Sequence, residues 1–212
     1  QQWEFIYPDN MIGYELQPRA AQIGRLVLAL AGMESAINYD NGENPLPLHN
    51  TARICCMDSL IDDSGDEVQI REWDDAALIV GNPPFMGARG GRLRNNLGDV
   101  YTNDLFRLYS DSLANSSDLS MYFVRKAQEM IRDNRSQCFG MITTSSCTAP
   151  ESRGVLDTGI EENLVISLAY KIRDWPVAGA NQPISIICME RESDNHLIQP
   201  TRLAIDRDGD LS

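Results

Sequence analysis

The stretch that most restricts what this chain can fold into is Ala76 to Phe85, AALIVGNPPF. Its first half is short, apolar and β-branched, with no polar alternation, which is the pattern of a buried strand inside a sheet. The second half cannot continue that strand. Pro83 and Pro84 remove two ladder donors and fix φ twice, and each proline pushes the residue before it to an extended conformation. The sequence therefore predicts a stiff, extended turn at the carboxyl end of a central strand, where open α/β sheets place their ligands.

The residue types in that turn suggest a chemistry. Asn82 offers a side-chain carbonyl acceptor, and Pro83 keeps its carbonyl while lacking an N–H. Two acceptors held close by a rigid backbone suit a planar –NH2 group, and Phe85 offers a face on which a ring can stack. An exocyclic amine on a base is a poor nucleophile, because its lone pair is delocalised into the ring. Accepting both N–H bonds favours a pyramidal nitrogen with its lone pair aimed at an electrophile, which is catalysis by orientation and electrostatics with no metal. A bare Asn-Pro-Pro-Phe is also an ordinary turn. Its place directly after an apolar strand favours the chemical reading.

The length of 212 residues suits one α/β domain, or one domain plus part of another, and the apolar fraction of 42% supports a proper core. The longest apolar runs fall short of the roughly 18 residues a membrane span needs. The opening QQWEFIYPDN lacks a basic region followed by an apolar stretch, so it shows no secretory signal. Cys55, Cys56, Cys138, Cys147 and Cys188 make no CxxC pair and read as buried free thiols in a reducing cytoplasm. His49 and His196 have no metal-ligand company. The net charge of −13 argues against this chain alone gripping a nucleic-acid backbone. The exception is Met86 to Asn96, MGARGGRLRNN, where Arg89, Arg92 and Arg94 stand with three glycines and no acid. It reads either as a solvated loop or as a basic loop that meets phosphates beside the turn.

Elsewhere, MIGYEL predicts a strand ending near Glu15, and Arg19 to Met33 a helix that ends near Gly32 and starts close to Pro18. An acid between a strand and a helix is where nucleotide-binding α/β folds meet ribose hydroxyls. Asn38 to Asn50 reads as a loop, Thr51 to Met57 as a strand, and the acidic 62–75 stretch as a solvated loop or short hairpin. Helices are expected over 100–113 and 118–132, the second capped by Ser116, Ser117 or Asp118 and striped with Leu119, Tyr122, Phe123, Ala127, Met130 and Ile131. Strands are expected over 138–144, 164–170, 183–190 and 201–206, with a helix over 151–158. This order implies an α/β fold with a mainly parallel sheet and an antiparallel strand near its end.

At Asn82–Phe85 the chain resembles the amino-group methyltransferases that use S-adenosylmethionine. The similarity continues through GNPPFMGARGGRLRNNLGDVYTNDLFRLY, SSDLSMYFVRKAQEMI, GMITTSSCTAP and DWPVAGANQPISIICME, covering roughly residues 11–190. Over that span the chain resembles the adenine-specific DNA methyltransferase core of bacterial single-chain restriction–modification enzymes, with a Rossmann-like fold. The resemblance implies that Asn82, Pro83, Pro84 and Phe85 bind the amine and stack the base. It also implies that Glu15 binds the cofactor ribose and that Asp58 and Leu60 hold its adenine. Asp118 falls on the family's helix start. The partner would be double-stranded DNA with an adenine flipped out of the stack, and no membrane is implied.

One departure is plain. The family's glycine-rich loop after its first strand has no counterpart, since only ten residues precede the strand of Glu15 and none is glycine. Residues 1–212 are thus expected to be a partial catalytic domain lacking that strand, that loop and a target-recognition domain. Weak or no cofactor binding by this piece alone is expected, and micromolar affinity in calorimetry would contradict it. Two alternatives stay open: a methyltransferase acting on protein glutamine or RNA, and a non-catalytic remnant of the fold.

Overall fold

The structure is a computed structural model that describes residues 10–39, 53–87, 89–172 and 183–192. The chain divides into two units, residues 1–73 and 74–212. In the first, β1 (Ile12–Glu15) pairs in parallel with β2 (Arg53–Cys56), in a register that sets Ile12 opposite Arg53 and Glu15 opposite Cys56. Parallel neighbours need a long crossover, and the segment between them includes α1 (Pro18–Tyr39). Pro18 opens that helix, where its missing N–H costs nothing. The helix runs past the expected end at Met33, because Gly32 stays helical and Met33, Glu34 and Ala36 are good helix formers. Ala21 is buried, while Ile23, Leu26, Val27 and Leu30 are exposed.

The acidic stretch forms a small antiparallel hairpin, β3 (Ile61–Asp62) with β4 (Gln69–Ile70). Leu60, Ile61 and Trp73 are buried. The connection is laced together: the Trp73 indole donates to the Ser59 carbonyl at 2.6 Å, and Arg71 pairs with Asp62 at 2.7 Å. Hydrogen bonds from Ser64, and after them the Arg71 charge, hold the Asp62 carboxyl below the usual carboxylate range.

In the second unit the elements are β5 (Leu78–Gly81), α2 (Arg92–Leu97), α3 (Asp99–Leu108), α4 (Leu119–Arg132), β6 (Cys138–Thr144), α5 (Pro150–Glu161), β7 (Leu164–Ile172) and β8 (Ile184–Arg191). Four of them make one sheet in the order β5-β6-β8-β7, with β5–β6 parallel and the other two pairs antiparallel. Two expectations are corrected here. Among the described residues the sheets are small and mixed, not mainly parallel. And among the described residues β5 pairs on one side only, with β6, and Leu78 and Val80 are exposed, where the sequence predicted a buried central strand. An apolar run reports only that its side chains favour burial; strand neighbours come from elsewhere in the chain. The segment read as a basic loop contains the short helix α2, and the helix expected over 100–113 stops at Leu108. The strand expected over 201–206, residues 40–50 of the expected loop, His49, His196 and Asp174–Val177 lie outside the described residues, while Asn38 and Tyr39, expected in that loop, are the last residues of α1.

The core of this unit is α4 laid on β6 and β8. Eleven of its fourteen residues are buried, so it is enclosed on more than one face. Tyr122 meets Tyr109 edge to face at 5.2 Å. The expected stripe is present, but Arg125, Lys126 and Gln128 are buried with it. Arg125 forks onto Glu162 at 2.8 and 2.8 Å, and Gln128 donates to the Val155 carbonyl at 3.0 Å, tying α4 to α5 and the turn after it. Hydrogen bonding from Arg125 holds the Glu162 carboxyl below the ordinary range, whereas burial pushes Glu129 up despite Arg125 nearby. Arg125 Nε lies 3.3 Å from Glu129 Oε1 yet has no aligned hydrogen bond.

Candidate active site

The corner at residues 82–87 follows from how its two ends are held. Upstream, β5 is paired with β6 through Gly81 opposite Met141, so Asn82 leaves the carboxyl end of a parallel pair. A Cβ on Gly81 would stand 3.8 Å from Pro83 Cδ and 3.9 Å from Met141 Cγ, which shows how closely the chain folds there. No regular structure follows from Asn82 to Gly87, as two prolines require. Pro83 is buried, Asn82 and Pro84 are exposed, and Phe85 is half-buried. Among the described residues no hydrogen bond is made by the Asn82 side chain or the Pro83 carbonyl.

Downstream, the Met86 carbonyl accepts the Leu119 N–H at 2.9 Å. Leu119 is the first residue of α4, whose opening N–H groups have no partner inside the helix. Asp118 caps the same helix, accepting the Ser120 N–H at 2.9 Å and the Ser120 hydroxyl at 2.7 Å. Of the three cap candidates in the sequence, the structure selects Asp118.

In the other unit, Glu15 and Asp58 lie at the carboxyl end of the parallel pair β1–β2. Glu15 Oε1 accepts the Gln17 N–H at 2.7 Å, and Oε2 has no partner among the described residues. Asp58 Oδ1 accepts the N–H groups of Leu60 and Ile61 at 2.7 and 2.9 Å, a local turn that fixes the loop after β2. Leu60 is 1% exposed, so its side chain belongs to the core of this unit.

The three arginines after the corner differ. Arg92 is exposed on α2 with no side-chain partner among the described residues. Arg94 pairs with Asp99 at 3.1 Å and lies 5.7 Å over the Phe106 ring. The Arg89 side chain lies outside the described residues. Gly90 and Gly91 just before α2 both take left-handed backbone, at φ 68 and 73°. Of the thiols expected to be buried, Cys147 is buried and Cys56 is exposed. Burial pushes the Cys138 and Cys188 thiols up. Among the described residues no group of His, Cys, Asp or Glu is placed to hold a metal, and no helix is long and apolar enough to cross a membrane.

Two features escaped the sequence. The Met86–Leu119 clamp joins backbone to backbone and leaves no side-chain signature. The Arg125–Glu162 fork had one: Arg125 and Gln128 fall within the span of the apolar stripe of α4.

Among solved structures, the chain is similar to the type IIL restriction–modification enzyme MmeI, determined in complex with DNA. The TM-score is 0.68 with 23% identity, over 89% of this chain and 25% of that one. The chain thus spans about a quarter of that protein's length, and at this identity the likeness concerns the fold. No curated protein matches the chain. The family model of the MmeI DNA-methyltransferase domain matches residues 2–199, and the chain belongs to that family.

Proposed function

We propose that this chain moves a methyl group from S-adenosylmethionine to the exocyclic amino group of adenine in double-stranded DNA, within a restriction–modification system. One observation carries this reading: Asn82 and Pro83 present two unpartnered acceptors at the carboxyl end of a parallel strand pair, beside the half-buried ring of Phe85. In this reading Asn82 Oδ1 and the Pro83 carbonyl accept the two amine hydrogens, and Pro84 keeps the corner stiff. Phe85 stacks on a base turned out of the duplex. The amine lone pair is thereby released from the ring and directed outward.

The residues present fit the cofactor. Glu15 has a free carboxylate oxygen at the strand end where ribose hydroxyls bind in such folds. Asp58 and Leu60 shape the neighbouring loop, with Asp58 assigned to the cofactor's adenine and Leu60 acting from the core beneath it. The cofactor supplies an electrophilic methyl group. Arg92, exposed and without a side-chain partner among the described residues, is a candidate to meet phosphate, with Arg89 and Arg94 as further candidates, Arg94 after exchanging its Asp99 partner. The parallel pairs β1–β2 and β5–β6 support a Rossmann-like reading of the fold.

The test is product identity. The complete protein is incubated with duplex DNA and methyl-labelled S-adenosylmethionine, and the digested nucleosides are resolved by mass spectrometry. N6-methyldeoxyadenosine is expected. Label on cytosine, RNA or protein glutamine would overturn the adenine assignment.

A further inference from the structure

We propose that Asp118 is a positioning residue for the Asn82–Phe85 corner, acting through the first turn of α4 and through Gly87. The proposal rests on the reading of that corner as the amine-binding site. A corner with two prolines and no hydrogen bonds of its own keeps its aim only if both ends are fixed. The upstream end is fixed by the β5–β6 ladder. Among the described residues the downstream end is held by one backbone bond, from the Leu119 N–H to the Met86 carbonyl at 2.9 Å.

That bond starts from the residue directly after Asp118. Asp118 is 5% exposed, and its Oδ1 is committed to the Ser120 N–H and hydroxyl. Those two bonds hold the backbone at the helix entry, and so set where the Leu119 N–H points. The other oxygen faces the corner: a Cβ on Gly87 would stand 3.9 Å from Asp118 Oδ2. One buried carboxylate therefore orders the helix start on one side and borders the last residue of the corner on the other. Behind it stands α4, the most enclosed helix described, so the anchor is stiff. Asp118 touches neither base nor cofactor in this account. It determines whether Asn82 and Phe85 are held within the fraction of an ångström that orientation catalysis requires.

The experiment compares the complete protein with its Asp118→Asn and Asp118→Ala variants by hydrogen–deuterium exchange and by steady-state methyl transfer. Asp118→Ala should speed exchange at the amide of Leu119, the donor that holds the Met86 carbonyl, while β6 keeps its protection. It should lower kcat about tenfold or more while changing KM for DNA less than about twofold. Asp118→Asn, which keeps the Oδ1 acceptor, should recover most of the rate. Unchanged exchange at Leu119 would overturn the proposal, as would loosening spread equally through β6, which marks a merely structural role. Exchange is read without turnover, so it separates the two claims. If wild-type protein methylates nothing but Leu119 still loosens selectively in Asp118→Ala, the methyl-transfer reading fails and the anchoring stands.

Discussion

Glu162→Gln tests how α4 is held in place. Arg125 is nearly fully buried, its side chain 5% exposed, and forks onto both oxygens of Glu162, itself 22% exposed, at 2.8 Å each. Gln keeps the shape but removes the charge and turns an –NH2 toward a guanidinium donor. Removing one partner of a buried pair costs about 3–5 kcal/mol. Partial exposure of Glu162, and Glu129 at 3.3 Å from Arg125, reduce that to about 2 kcal/mol. With a urea slope of about 2 kcal/mol/M, the unfolding midpoint should fall by about 1 M, read by far-UV circular dichroism. The pH dependence follows in sign. Glu162 is held below its ordinary value by the Arg125 hydrogen bonds, so its stabilisation is complete above the normal carboxylate range and lost as pH falls through the lowered folded value. Glu129 is raised by burial, so its contribution is present at low pH and lost as pH rises through the raised value. Wild-type protein should therefore lose more stability on acidification below about pH 4 than the variant does. Replacing both partners, Arg125→Met with Glu162→Leu, should recover much of the loss, since no buried guanidinium is then left without its carboxylate. A midpoint unchanged by Glu162→Gln would refute the argument.

Two further outcomes follow from the structure. Gly98 joins α2 to α3 at φ 82 and ψ 163°, with nothing within 4 Å of where a Cβ would sit, so Gly98→Ala should cost about 1–3 kcal/mol through backbone strain alone; an unchanged Tm would contradict this. Cys56 should be alkylated first in native protein while Cys147, 1% exposed, stays protected until unfolding; mass spectrometry after brief iodoacetamide treatment reads the order, and early labelling of Cys147 would be the contrary result.

What the sequence made legible was local. The cap at Asp118 and the strand at Cys138–Thr144 follow from side-chain chemistry and short-range period, and the structure agrees. The diproline corner was equally readable, because two fixed φ angles forbid a continuing strand. Neighbours were less so. The pairing of β5 with β6 alone, and the antiparallel placing of β8 between β6 and β7, depend on partners 12 to 60 positions away among the described residues. Helix α2 has six residues and one buried side chain, Leu93, too little for a period to register. Gly32 did not stop α1, since a glycine ends a helix only where the chain turns left-handed. In the candidate site, the acceptors were visible as residue types. The Met86–Leu119 bond that holds them was not, because any residue can supply a backbone carbonyl and N–H.

The most direct measurement is methyl transfer to adenine-containing duplex DNA by the complete protein and by its Asn82→Ala variant, with cofactor binding measured in parallel. Loss of one of two acceptors that hold the amine should lower kcat about 100-fold or more, with cofactor affinity and Tm nearly unchanged because Asn82 is exposed and makes no hydrogen bond among the described residues. Transfer at the wild-type rate by Asn82→Ala would contradict the account.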